Sequence, residues 1–146
     1  MTRSRQPVDI ELKVRGVRLC RLKEVRERRG RLVAAETGYG LPFIARRCFI
    51  ISDVPNRNIR GEHAHKKLKQ LLVCVRGRVR VLVDDGMQKE EILLDDATLG
   101  LYVPPMVWAA QYDYSTDAVL MVFASAKYDA RDYIRDYEDF RRRVKR

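Results

Sequence analysis

The sequence predicts an all-β fold, an antiparallel sandwich or barrel followed by a C-terminal helix, and three observations predict it. Residues 41–128 alternate short β-branched and aromatic runs with turn residues, at a spacing that leaves no helices between the strands. Asp85-Gly86 separates two extended segments, a short-range hairpin signal. After residue 128 the apolar period lengthens from that of a strand to that of a helix.

The N-terminal stretch DIELKVRGVRLCRL (9–22) is extended and free to pair with a neighbouring copy. IARRCFIISDV (44–54) is a dense strand-forming run that ends in turn residues. QLLVCVRG (70–77) is almost continuously apolar, as a strand covered on both faces must be. RVRVLVDDGMQKEEILL supplies the hairpin, and GLYVPP (100–105) and DAVLMVFAS (117–125) supply further strands. Pro104 and Pro105 have no N–H to donate, which assigns their segment to a rim or an edge. Asp129 is placed to cap a helix over 129–145, with Tyr133, Ile134, Tyr137, Phe140 and Val144 on one face and arginines at the negative end of its dipole. That aromatic stripe is read as packing. The barrel is expected over about 30–128, within one domain spanning 1–146 and free of linkers, repeats and low-complexity segments.

Composition narrows the function classes. With 146 residues, 46% apolar and 34% charged, the chain reads as a soluble globular domain with a real core. No apolar run approaches the roughly 20 residues that a membrane span needs, and MTRSRQPVDIELKV lacks the apolar centre of a signal peptide. Cys20, Cys48 and Cys74 share no CxxC spacing and are expected to be reduced, buried thiols of a cytoplasmic protein. The net charge of +10 favours an anionic partner, but its excess lies mainly in 21–31 and 141–146, read as solvated faces. No helix-turn-helix signature and no basic stripe interleaved with aromatics points to nucleic acid.

Chemistry concentrates in RGEHAHKK (60–67), which holds both histidines of the chain. Residues i and i+2 of a strand share a face, so His63 and His65 project together, into the mouth of a barrel. Such a pair begins the metal site of cupin barrels. There the pattern runs glycine, five residues, His-x-His, three or four residues, glutamate, six residues, glycine, with another histidine further on. Here the spacing after His65 leads to Gln70 and then Gly77, so the length resembles a cupin jelly roll while the carboxylate is replaced by an amide. The further histidine is missing. A neutral carboxamide is a poor ligand for a divalent cation, so the sequence argues for no metal. Imidazoles freed from a metal can take and give protons near neutral pH.

RGEHAHKKLKQLLVCVRG, followed by DDG, GLYVPPMVW, AVLMVFAS, YD and DYIRDYEDF, resembles the sugar 3,4-ketoisomerases, over about residues 30–140. These are small cupins that act on dTDP-4-keto-6-deoxyglucose in the synthesis of deoxysugars for surface glycans. The resemblance implies a metal-independent cytoplasmic isomerase without a cofactor, acting through an enediol and assembling as a homodimer. It also implies that His63 moves the carbon-bound proton and His65 serves the oxygens, or the reverse, while Arg60 and Arg47 hold the enediolate or the pyrophosphate. Gln70 and Tyr102 are expected to orient the sugar, and Trp108, Tyr128 and Lys66 to line the site. Phe49 departs from the family pattern, where a tyrosine is common, as do Ala109 and Ala110 where histidine or arginine follows the tryptophan. The runner-up readings are a dTDP-sugar epimerase of related cupin type, using a histidine with Tyr102 or Tyr128, and a non-catalytic sugar-nucleotide-binding cupin.

Overall fold

Val79, Val81 and Val83 are each fully buried while Arg80 and Leu82 between them are only partly covered, so the period-two pattern turns one face of this strand inward. Each such valine contributes about 1.5–3 kcal/mol on leaving water. The rest of the chain follows the same rule. A computed structural model describes residues 9–55 and 57–145. Residues 1–8 of the N-terminal stretch and Arg146 of the basic tail lie outside the described residues.

The chain begins with β1 (Ile10–Glu11), β2 (Arg18–Arg21), β3 (Lys23–Glu27), β4 (Gly30–Ala34), β5 (Glu36–Thr37) and β6 (Gly40–Leu41). There follow β7 (Arg47–Ser52), β8 (Arg60–His65), β9 (Gln70–Arg76), β10 (Val79–Asp84), β11 (Lys89–Leu94), β12 (Leu99–Val103), β13 (Trp108–Tyr112) and β14 (Val119–Ala124). Six strands form one sheet in the order β1-β2-β12-β9-β14-β7. Facing it is a second sheet, β11-β10-β13-β8, to which a short C-terminal strand is added. The two sheets pair antiparallel throughout, the cupin-type jelly roll expected.

Between the sheets lies the main core, with Leu72, Cys74, Val81, Leu101, Leu120 and Val122 among its members. β9 is covered on its other face too. Leu71 and Val73 point away from that core into a second cluster with Cys20, Leu22, Leu41 and Phe43, which accounts for the unbroken apolar run of this strand. Asp85-Gly86 opens the β10–β11 hairpin as expected. The Asp85 carboxylate accepts the N–H groups of Met87 and Gln88, and Gly86 sits at φ +93. Pro104 and Pro105 occupy the rim turn between β12 and β13, where no ladder needs their missing N–H.

Three expectations are corrected. The barrel does not start near residue 30, because the N-terminal stretch pairs within its own chain: β2 is laddered to β12, with Leu19 opposite Leu101. Cys20 and Cys74 are buried, and burial pushes their thiols up, but Cys48 is exposed because β7 is an edge strand whose alternate residues face outward. The helix expected over 129–145 is α1, only Tyr137–Val144, capped by Asp136, whose carboxylate accepts the Asp139 N–H. Asp129 instead caps a single 3₁₀ turn, Ala130–Asp132, and Tyr133–Ile134 forms β15 against β8. The physical reason is Asp132, whose carboxylate accepts the backbone N–H groups of Lys67 and Leu68 and pins this segment to the end of β8. The apolar stripe survives this change, since Ile134 and Phe140 are buried and Tyr137 and Val144 pack against the same cluster.

Candidate active site

The site is set by an irregularity in β8. On β13, Ala109 is opposite His63 but Ala110 is opposite Gly61, so Glu62 is an extra residue in the ladder. Gly61 at φ +85 and Glu62 at φ +54 make this bulge. Gly61 is required there twice over. A Cβ at this φ would be strained, and it would also lie 2.9 Å from Gln111 Oε1 and 3.1 Å from the Ala109 carbonyl. In an unbroken strand Arg60 would face away from His63. The bulge restores it to the same side, and Arg60, Gly61 and His63 line one cavity of about 320 Å³.

That cavity is walled by Phe49, Leu72 and Val122, with Gln70 and Gln111 as amides. Arg47, Arg60 and Arg135 bring three guanidinium groups to it. Such a volume, with an apolar wall and a few directed polar groups, suits a small-molecule site. Its cations suit an anionic ligand. Arg47 lies 4.5 Å over the Phe49 ring and 5.3 Å over the Tyr128 ring, and Arg135 lies 4.4 Å over Tyr133, so the two side chains are oriented by aromatic faces.

His63 and His65 do project together. Their Nε2 atoms are 3.1 Å apart and their ring planes are at 86°. His63 Nδ1 is 2.9 Å from the Gly61 carbonyl, which can only accept, so this nitrogen carries a proton. His65 Nδ1 lies 3.4 Å from Asp132 Oδ2, an electrostatic contact rather than a well-formed hydrogen bond. The Tyr133 ring packs on both imidazoles, with centroids 4.8 Å from His63 and 4.5 Å from His65. Burial lowers the proton affinity of both rings, and the Arg135 charge lowers it further. For His65 the neighbouring His63 adds to this and Asp132 opposes it. Burial thus favours the neutral form of both rings.

Cupin folds imply a metal at the His-x-His pair, and the residues present do not fit one. The two nitrogens face each other at hydrogen-bond distance, and the third donor position holds the Gln70 amide. Among the described residues, no three or more His, Cys, Asp or Glu are grouped so as to hold a metal ion.

Of the residues singled out in the sequence, Arg47, Arg60, His63 and Gln70 meet at the cavity. His65 backs His63 and opens on a smaller adjoining cleft of about 150 Å³, shared with Arg47, Tyr128 and Tyr133. Three others are not brought there. Tyr102 points to the outer face of its sheet, against Phe43 and under Arg18. Trp108 is one residue out of phase with Ala109 and faces α1, in contact with Tyr137 and Phe140. The Lys66 ammonium donates to the Arg131 carbonyl, tying down the C-terminal segment. In each case the alternation of strand faces, or the end of β8, decides the direction. Of the two alanines after the tryptophan, Ala109 faces inward opposite His63, while Ala110 lies on the other face. Sequence reasoning missed Gln111, Asp132, Tyr133 and Arg135. For Gln111 the signal was its place two residues from Ala109 on an alternating strand. For the other three no short-range signal existed, because 129–145 carries a genuine helical period.

Comparison with known proteins places the fold. A family model described as FdtA: WxcM-like, C-terminal, matches residues 15–145. The chain is 45% identical, over 127 residues, to the TDP-4-oxo-6-deoxy-alpha-D-glucose-3,4-oxoisomerase of Aneurinibacillus thermoaerophilus, covering 87% of this chain and 91% of that protein. It is similar to QdtA, a sugar 3,4-ketoisomerase from Thermoanaerobacterium thermosaccharolyticum solved in complex with TDP, with 35% identity and a TM-score of 0.88, covering 90% of this chain and 96% of that one. A histidine-to-asparagine mutant of the same QdtA, solved in complex with TDP-4-keto-6-deoxyglucose, superposes with a TM-score of 0.87 at 34% identity, covering 92% and 96% of the two chains.

Proposed function

The chain belongs to the FdtA, WxcM-like family, and we propose on that premise that it converts dTDP-4-keto-6-deoxyglucose to a dTDP-3-keto-6-deoxyhexose. It is an isomerase, and the reaction needs no net oxidant. A base takes the proton from C3, and the C–H electron pair becomes the double bond of an enediolate. The C4 carbonyl pair moves to oxygen. A proton is then delivered to C4, the C3 hydroxyl proton passes to the C4 oxygen, and the ketone is re-formed at C3. The observation that supports this chemistry most directly is a facing imidazole pair whose His63 member lines an arginine-bearing cavity.

His63, which lines the cavity, is the group that moves the carbon-bound proton, with His65 as its partner. Arg60 stands on the same strand face and holds the developing enediolate oxygen. Arg47 and Arg135 take the pyrophosphate, and Gln70 orients the sugar. Tyr128 is 58% exposed beside Arg47 and serves the nucleotide end. The partner molecule is thus a dTDP-linked keto-deoxysugar rather than nucleic acid or a membrane. Among the described residues no helix is long and apolar enough to cross one. A cytoplasmic location goes with this reading, as does a homodimer. Ile50 and Val75 stand exposed on the outer face of the six-stranded sheet, and β7 is a free edge there. A monomer on light scattering at working concentration would remove the dimer from the proposal.

Incubation with dTDP-4-keto-6-deoxyglucose in deuterated water tests the reaction. Isomerisation gives a 3-keto product by NMR. A ketone retained at C4, with label at C3 or C5, would make the protein an epimerase instead. No change in the sugar, with dTDP still bound, would make it a binding module.

A further inference from the structure

We propose that Asp132 is a positioning residue that keeps the proton of neutral His65 on Nδ1, leaving the Nε2 lone pairs of both histidines converging on one proton-accepting point. This inference rests on the isomerase reading for its purpose, but not for its geometry.

The facing pair has four ring nitrogens and, when neutral, two protons. One is held by His63 Nδ1, which donates to the Gly61 carbonyl. The other belongs to His65, and its two positions differ. On Nε2 it is donated to His63 Nε2 at 3.1 Å, and no free lone pair remains between the two Nε2 atoms. The buried Nδ1 lone pair of His65 is then left 3.4 Å from a carboxylate oxygen, with repulsion between them. On Nδ1 the proton faces Asp132 Oδ2 favourably, and the two Nε2 lone pairs meet across 3.1 Å, a repulsion that an entering proton relieves. A third proton entering there binds between two bases, and its charge is offset by the carboxylate beyond.

Asp132 is built to hold this post. Its two oxygens accept the Lys67 and Leu68 N–H groups at 2.9 and 3.1 Å, so the carboxylate cannot swing away. The Tyr133 ring next to it packs on both imidazoles and restrains their rotation. The other charged and titratable groups around the relay are Arg60 on β8, Arg47 on β7, Arg135 beyond β15, and Lys67, Lys127, Tyr128 and Asp129 around the adjoining cleft. Asp129, the carboxylate among these, pairs with Arg131, whereas Asp132 pairs with a histidine nitrogen. The consequence for turnover is direct. The proton leaving C3 becomes the third proton of the pair, and the same proton is available for C4. No co-reactant is consumed.

The experiment uses the full chain labelled with ¹⁵N-histidine. Because the chain has two histidines, two-bond ¹H–¹⁵N spectra read both tautomers, and His63→Asn assigns them. At neutral pH wild-type His65 is expected to be protonated on Nδ1. In Asp132→Asn the amide can donate to Nδ1, so the proton moves to Nε2. kcat for the sugar nucleotide is then expected to fall a hundredfold or more, with KM within about threefold. Asp132→Glu, which keeps the charge, should keep the Nδ1 tautomer and recover at least a tenth of the wild-type kcat. If Asp132→Asn does not fold, the wild-type spectrum decides alone. Neutral His65 protonated on Nε2 would overturn the proposal. So would a tautomer unchanged in Asp132→Asn. An Nδ1 tautomer in a protein that turns over no sugar nucleotide would sink the isomerase reading and leave the proton placement standing.

Discussion

His63 Nε2 stands 3.1 Å from His65 Nε2, with the two rings nearly perpendicular, although both side chains leave the same strand. Two imidazoles held this way in a half-dry site share one proton-accepting point, which neither has alone. Removing one member therefore disarms the other. His63→Asn is expected to lower kcat by about 10²–10⁴-fold while dTDP affinity stays within about threefold, because Arg47 and Arg135 remain. Isothermal titration against turnover separates the two, and retained turnover removes His63 from the mechanism.

The same pair makes stability depend on pH. Both histidines have proton affinities lowered in the folded chain, chiefly by burial. The unfolded chain, with histidine near 6.5, therefore binds more protons than the folded one below that pH. Stability is complete above about pH 7 and is lost as pH falls through about 6.5 toward the lowered folded values, with a slope of up to about 1.4 kcal/mol per pH unit for each ring. Asp85 and Asp96 are also lowered, by backbone and Thr98 hydrogen bonds, so their stability is lost in a separate and more acidic window. Urea midpoints between pH 5 and 8 should rise with pH in wild type and flatten in His63→Asn, His65→Asn. A slope unchanged in the double variant would place the effect elsewhere.

Gly61 links backbone and chemistry. Gly61→Ala puts a Cβ into Gln111 and the Ala109 carbonyl at positive φ, at a cost of about 1–3 kcal/mol. Relief by flattening the bulge would turn Arg60 out of the cavity. The expected result is a lower thermal midpoint together with a KM raised about tenfold or more. Loss of stability with unchanged KM would separate the bulge from substrate binding.

Trp108 tests the outer face. It packs on Tyr137 and Phe140 under α1, and the Tyr137 hydroxyl donates to the Asp84 carboxylate. Phe140→Ala should cost about 3–5 kcal/mol. Trp108→Phe should cost less, about 1–2 kcal/mol, because most of its packing is kept. Both are expected to keep kcat and KM within about twofold at a temperature where they are folded. A large KM change in Trp108→Phe would return the tryptophan to the substrate site.

Much was legible in the sequence, because strand alternation and turn chemistry are local. The valines of β10, the Asp85-Gly86 hairpin, the proline rim and the shared face of His63 and His65 all follow from side-chain period and backbone geometry within a few residues. The replacement of a ligand carboxylate by Gln70 was equally plain, since residue chemistry needs no coordinates. Register and competition were set only in the folded chain. An extra residue at Glu62 shifts Arg60 into the cavity, and no pattern of residue types announces a bulge of one residue. Tyr133 and Ile134 satisfy a helical period and a strand equally well. The tie was broken by two backbone N–H groups, sixty-odd residues away, that only the Asp132 carboxylate reaches once the chain is folded. Periodicity reports which side chains want to leave water, and it is silent on which distant hydrogen bonds compete for the same backbone.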